Sequence, residues 1–252
     1  MQQRTLPFTY RSLALASCLV LAGLCLLTTH ARAGTANAAD STINKASWFP
    51  DTPDVPHFRW EQRPCPSCTE LAPTDNWRKM VGLAGLHGIR FLLAPNDRAG
   101  MAYAIPPATI VLSPTAMKLS GCALNFVVGH ELTHLALRHY DQDVVTLASL
   151  SHQTVTPGSS GDDVIQILDS DFPLALKMSP YWEAEEREAD WAGSLLAAQA
   201  CGCSIEKGAI AFLRSAGNEG GGIAAAHETD KERIRELKPF IPSAHILADS
   251  SH

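Results

Sequence analysis

The chain has no surplus of basic residues. Its 252 residues carry 20 Lys+Arg against 26 Asp+Glu, and that balance excludes a nucleic-acid partner, because displacing counterions from phosphates needs a basic surface. It also lacks a second long apolar run. The one present, Ser12–Leu27, has 16 residues, short of the roughly 20 that cross a bilayer as a helix. A multi-spanning membrane protein is therefore not expected.

That single run reads as a secretory leader. Arg4 and Arg11 precede its core, and Ala31-Arg32-Ala33 supplies the small-x-small pattern of a signal peptidase site before Gly34. Residues 1–33 are thus expected to be a signal peptide, with an uncleaved N-terminal membrane anchor as the alternative. Leu15-Ala16-Ser17-Cys18 imitates a lipoprotein box, but most of the apolar core follows Cys18 instead of preceding it. Cleavage removes Arg4, Arg11 and Arg32 and no acidic residue, leaving 17 Lys+Arg against 26 Asp+Glu, a net charge near −9. The expected destination is periplasmic or extracellular, with no stable membrane span. About 219 residues of nearly half-apolar composition suffice for one domain.

Cysteine is sparse after cleavage. Cys65, Cys68, Cys122, Cys201 and Cys203 remain. In an oxidising compartment the Cys65-Pro66-Ser67-Cys68 and Cys201-Gly202-Cys203 pairs are assigned to structural disulfides, whose connectivity sequence does not give. Cys122 is read as a free, packed thiol. A thioredoxin-like role for Cys65 and Cys68 is disfavoured, because a redox CxxC opens a helix after a strand and this one lies among prolines.

What is present is a chemistry. In His130-Glu131-Leu132-Thr133-His134 two imidazoles stand four residues apart, so on a helix of 3.6 residues per turn they share one face and can bind one zinc ion. Glu131 is rotated about 100° from His130 and faces the open coordination position, where a carboxylate activates water. The lead-in from Gly121 to Gly129 is apolar enough to be buried. A catalytic zinc takes three protein ligands, and after such a pair the third is commonly a Glu from a second helix. Glu186-Arg187-Glu188-Ala189-Asp190 lies in the helical stretch Tyr181–Ala200. Glu186 and Asp190 share a face, so Glu186 is the candidate third ligand. Asp190 is the candidate acceptor for the far ring nitrogen of His130.

The run Met101–Ser113, the motif helix ending Leu137-Arg138-His139, the block Glu186-x-x-Ala189-Asp190-x-x-Gly193 and the segment His227–Leu237 together resemble the HtpX and CAAX prenyl protease family of zinc metallopeptidases, including its periplasmic BepA-type members. The resemblance covers about residues 75–240. It implies an α+β fold, a mostly helical, minigluzincin-like domain with a small sheet beside the active-site helix. It also implies one Zn²⁺ per chain, a protein or peptide substrate, and a function in envelope protein quality control. His227 then acts near the zinc, either on the oxyanion of the intermediate or on the open metal position at rest, and Arg233 completes that block. The chain departs from the family pattern at Met101, Pro107-Ala108, Glu183 and Glu228, positions that concern substrate handling. The alternative is a zinc-containing holdase with a closed or inactive site.

The organisation expected is a Pro-rich extended arm over residues 34–73, anchored by Trp48, Phe49, Phe58 and Trp60, and a metallopeptidase domain over 74–245. Helices are expected at Trp77–Leu86, 119–139, Tyr181–Ala200, 204–216 and 229–237, the last ending before Pro239 and Pro242. Strands are expected at Ile89–Ala94, Ala102–Ile105 and Thr109–Leu112. Residues 141–180 are read as a packed connection with a small apolar helix at Val164–Leu168, and alternatively as a lid. His139, about 140° from His134 on a continuous helix, is read as structural.

Overall fold

The computed structural model describes residues 44–61, 65–96, 101–169, 171–216 and 229–249; the expected leader, residues 1–33, lies outside them. Four short strands form one sheet in the order β1-β2-β4-β3. At its centre β2 (Arg90–Leu93) and β4 (Thr109–Leu112) run parallel. Phe91, Ile110, Val111 and Leu112 are buried, the near-continuous apolar pattern of strands covered on both faces. β3 (Ala102–Ile105) lies antiparallel on β4 and forms one edge. The opposite edge is β1 (Thr69–Leu71), antiparallel on β2. The arm thus contributes a strand that its sequence did not signal, because Thr-Glu-Leu is too short to show alternation.

The Ser113 amide donates to the Met101 carbonyl at 2.9 Å, so residues 101 and 113 form a hydrogen-bonded pair. The next pairs alternate, which turns the main-chain N–H and C=O of Ala102 and Ala104 away from β4.

Helix α1 (Asp75–Leu83) starts where the Thr74 side chain accepts from the Trp77 amide. Helix α2 (Gly121–Ala136) carries the His-Glu-x-x-His motif and is buried along most of its length, as an all-round apolar sequence requires. It is shorter than expected. Arg138 adopts a left-handed conformation, φ 57°, and a separate helix α3 (His139–Leu150) begins immediately after it. A non-glycine residue in this region costs about 1–2 kcal/mol. Here its guanidinium donates to the Val55 and Pro56 carbonyls at 2.8 and 2.7 Å and to Asp141 at 2.8 Å. The arm holds the turn.

The expected anchors pack. Phe49 and Phe58 are buried, the Trp48 indole donates to Gln199 at 2.7 Å and the Trp60 indole to Asp141 at 2.8 Å. Residues 141–169 are a packed connection with their own small core. In it Val144 and Leu147 of α3 and Val164 of α4 (Gly161–Ile165) meet Phe58, Leu174 and Met178.

Helix α5 runs from Phe172 to Cys201, beginning well before the expected Tyr181. Pro180 lies inside it, although proline removes an interior hydrogen bond. Burial of Leu174 and Met178 and capping of the Leu174 amide by Asp171 extend the helix through it. A π-helical turn at Glu206–Ile210 leads into α6 (Ala211–Ala216). Helix α7 (Asp230–Leu237) opens on a capping box between Thr229 and Glu232. The chain does not end its helical course at Pro239 and Pro242. A 3₁₀ turn at Lys238–Phe240 and helix α8 (Ile241–Asp249) follow, each proline sitting in a first turn, where the missing N–H is not needed.

Among the described residues there are two disulfides. Cys65 pairs with Cys68, and Cys122 with Cys203. The reading of Cys122 as a free thiol is corrected, and among the described residues Cys201 is the free one. Gly202, at φ 63°, caps α5 in the left-handed region and turns the chain so that Cys203 reaches the first turn of α2.

Candidate metal centre

Helices α2 and α5 cross at two glycines. A Cβ added to Gly129 would lie 2.6 Å from the Gly193 carbonyl oxygen, and one added to Gly193 would lie 2.5 Å from the His130 amide nitrogen. Only glycine allows that approach. The close crossing lets a short carboxylate on α5 reach imidazoles on α2.

His130, His134 and Glu186 are brought together there. The two Nε2 atoms are 3.2 Å apart; Glu186 Oε2 is 3.2 Å from His130 Nε2 and Oε1 is 3.4 Å from His134 Nε2. Tetrahedral zinc with bonds near 2.0–2.1 Å keeps its ligand atoms about 3.3 Å apart; the spacing of the two Nε2 atoms matches such an edge, and Glu186 approaches each imidazole with a different one of its two oxygens. The donor set of two imidazoles and a carboxylate is that of hydrolytic zinc sites. His130 Nδ1 donates to Asp190 Oδ1 at 3.1 Å, which leaves its Nε2 facing Glu186. Burial lowers the His130 pKa, yet Glu186 and Asp190 outweigh it and push it up to about 10. The pocket calls for positive charge, and the residues present fit a zinc ion.

Asp190 is itself held by Arg233, whose Nε and Nη2 donate to its two oxygens at 2.7 and 2.6 Å. Burial raises the Asp190 pKa, but these bonds and His130 bring it below the usual carboxylate range. Glu131, 8 % exposed, has its pKa raised mainly by burial, opposed by the two histidines, and accepts from the Ala104 amide of edge strand β3. The Ala104 carbonyl accepts from the Tyr140 hydroxyl at 2.8 Å.

A buried histidine pair and carboxylate on crossing helices, beside the edge of a small sheet, define a metallopeptidase-type centre. The model of peptidase family M48 matches residues 81–241, and the chain belongs to that family. This agrees with the resemblance drawn from the sequence and with the α+β, mostly helical fold expected from it. No curated protein matches the chain. Among the described residues no helix is long and apolar enough to cross a membrane.

Sequence reasoning placed Asp190 against His130 and Arg233 near the centre, and both lie there. His227 and the glycines at 217–222 lie outside the described residues. His139 lies closer to His134 than helical periodicity places it. A continuous helix turns it away from His134, whereas the break at Arg138 brings the two Nδ1 atoms within 2.9 Å. Nothing in Leu137-Arg138-His139 signals a break, because neither glycine nor proline is present. Tyr140 and the Gly129–Gly193 crossing were missed for the same reason, each being defined by a partner distant in sequence.

Proposed function

We propose that this chain is a zinc-dependent endopeptidase that hydrolyses exported proteins or peptides, in the periplasm or outside the cell, in envelope protein quality control. The observation that carries the reading is the set of near-equal spacings among two Nε2 atoms and the Glu186 carboxylate. His130, His134 and Glu186 hold one Zn²⁺ per chain. Zinc supplies polarisation of the scissile carbonyl and a lowered pKa for water.

Asp190, pinned by Arg233, fixes the tautomer of His130. Glu131 takes a proton from the attacking water and returns it to the leaving amine. β3 is the substrate strand. Ala104 is engaged by Glu131 and Tyr140, so Ala102 offers the outward main-chain groups for pairing with an extended peptide. His227 donates to the oxyanion, a role resting on the family resemblance. The Cys122–Cys203 bridge fits an oxidising compartment.

Glu131→Gln should retain stoichiometric zinc and lose about 10²–10⁴-fold in cleavage of a mixed peptide library. Equal cleavage by wild type and variant would remove Glu131 from the mechanism. Stoichiometric zinc with no turnover in either would favour the holdase reading.

A further inference from the structure

The two imidazoles of the centre have different supports. His130 leans on the Asp190 carboxylate at 3.1 Å. His134 leans on a third imidazole, since its Nδ1 lies 2.9 Å from Nδ1 of His139. The rings are nearly perpendicular, 84°, with centroids 4.8 Å apart. His139 is 1 % exposed. Its remaining nitrogen, Nε2, has no partner at hydrogen-bonding distance and faces the Glu188 carboxylate at 3.5 Å.

The proton count is forced by connectivity. An imidazole that binds a metal through Nε2 carries its proton on Nδ1. A contact of 2.9 Å between two Nδ1 atoms is attractive only if one is N–H and the other a lone pair. With His134 the donor, His139 accepts at Nδ1 and must carry its own proton on Nε2, where it faces Glu188. We propose that His139 is a positioning residue of the metal centre: its Nδ1 accepts the Nδ1–H of His134 and fixes that ring in the tautomer and rotation that present Nε2 to zinc, with Glu188 completing the chain.

His139 reaches this place because α2 stops at Ala136 and Arg138 turns left-handed. Four hydrogen bonds with the arm enforce the turn: Thr52 to the Ala136 carbonyl at 3.0 Å, Arg138 to the Val55 and Pro56 carbonyls, and the Trp60 indole to Asp141. A segment without a metal ligand thereby sets the orientation of one.

The proposal rests on the zinc reading, and its test separates the two. His139→Asn places an amide oxygen where Nδ1 stood, whereas His139→Leu has similar size and no acceptor. Zinc affinity of the full chain is measured by competition with a chromophoric chelator, and the thermal midpoint of chelator-treated protein serves as the folding control. The expected result is 10–100-fold weaker zinc binding for His139→Leu, His139→Asn within about threefold of wild type, and similar midpoints for the two variants. Equal affinities for the two variants would overturn the proposal. Zinc-loaded, ¹⁵N-labelled wild type gives a reading that needs no variant: His139 should show the Nε2–H tautomer and His134 the Nδ1–H tautomer, and an Nδ1–H tautomer at His139 would also overturn it. Wild type that takes up no zinc would instead defeat the underlying reading.

Discussion

At the scale of single residues, Arg233 and Asp190 form a buried ion pair. Both are buried, and two charges taken out of water cost several kcal/mol each unless they pair closely. The two short bonds from Nε and Nη2 supply that pairing and leave one Asp190 oxygen shared with His130. Removing the guanidinium leaves a buried carboxylate with one remaining partner. Arg233→Met should therefore lose roughly 3–5 kcal/mol of unfolding free energy, read from urea denaturation, with Arg233→Lys intermediate because one charge returns without the fork. A loss below about 1 kcal/mol, the scale of an exposed ion pair, would mean that the pair is open to solvent.

Among elements, the crossing of α2 and α5 decides the centre. A methyl group at Gly193 would meet backbone atoms of Gly129 and His130 at 2.5–2.8 Å, and backbone cannot rotate aside. Gly193→Ala should push the two helices apart, with an overpacking cost of about 1–3 kcal/mol and a loss of zinc affinity, since His130 and His134 lie on one helix and Glu186 on the other. Gly121→Ala, where an added Cβ meets nothing within 4 Å, is the control and should keep both stability and affinity.

The contact of α3 with α5 carries a pH dependence. Burial raises the Asp143 pKa to about 7, the Trp182 indole opposing it and Glu186 reinforcing it. A carboxyl whose folded pKa lies above its unfolded value stabilises the fold fully below about pH 4, and that stability is lost as pH rises through about 7. Asp143→Asn keeps an acceptor for Trp182 and removes the titration. In chelator-treated protein its thermal midpoint should exceed that of wild type by about 3 °C at pH 8, with the gap closing towards pH 4. An unchanged gap across that range would show that Asp143 titrates normally.

For the molecule as a whole, the Cys122–Cys203 bridge closes a loop of sequence separation 81. It ties the first turn of the motif helix to the end of the helix that carries Glu186. Closing a loop of that length in the unfolded chain is worth roughly 2–5 kcal/mol. The Cys122→Ser, Cys203→Ala double variant should lose that amount in urea denaturation, while opening Cys65–Cys68, whose separation is 3, should cost much less. Comparable losses for both would point to a local packing effect at Cys65.

The local chemistry was legible without a structure. His130 and His134 share a face because the helical repeat makes them do so. Glu186 and Asp190 share one by the same rule, and the ladder β2, β4, β3 announces itself in short apolar runs. The distances that make these residues one site were not legible, because they depend on Gly129 meeting Gly193, 64 positions further along the chain. The partner of Cys122, the strand β1 and the passage of α5 through Pro180 were likewise set by tertiary packing that overrides local propensity. His139 is the sharpest case. Helical periodicity, a property of consecutive residues, sends it away from the centre. The left-handed turn at Arg138, held by carbonyls more than eighty residues earlier in the chain, returns it to His134, because only long-range contacts can offset the cost of such a turn.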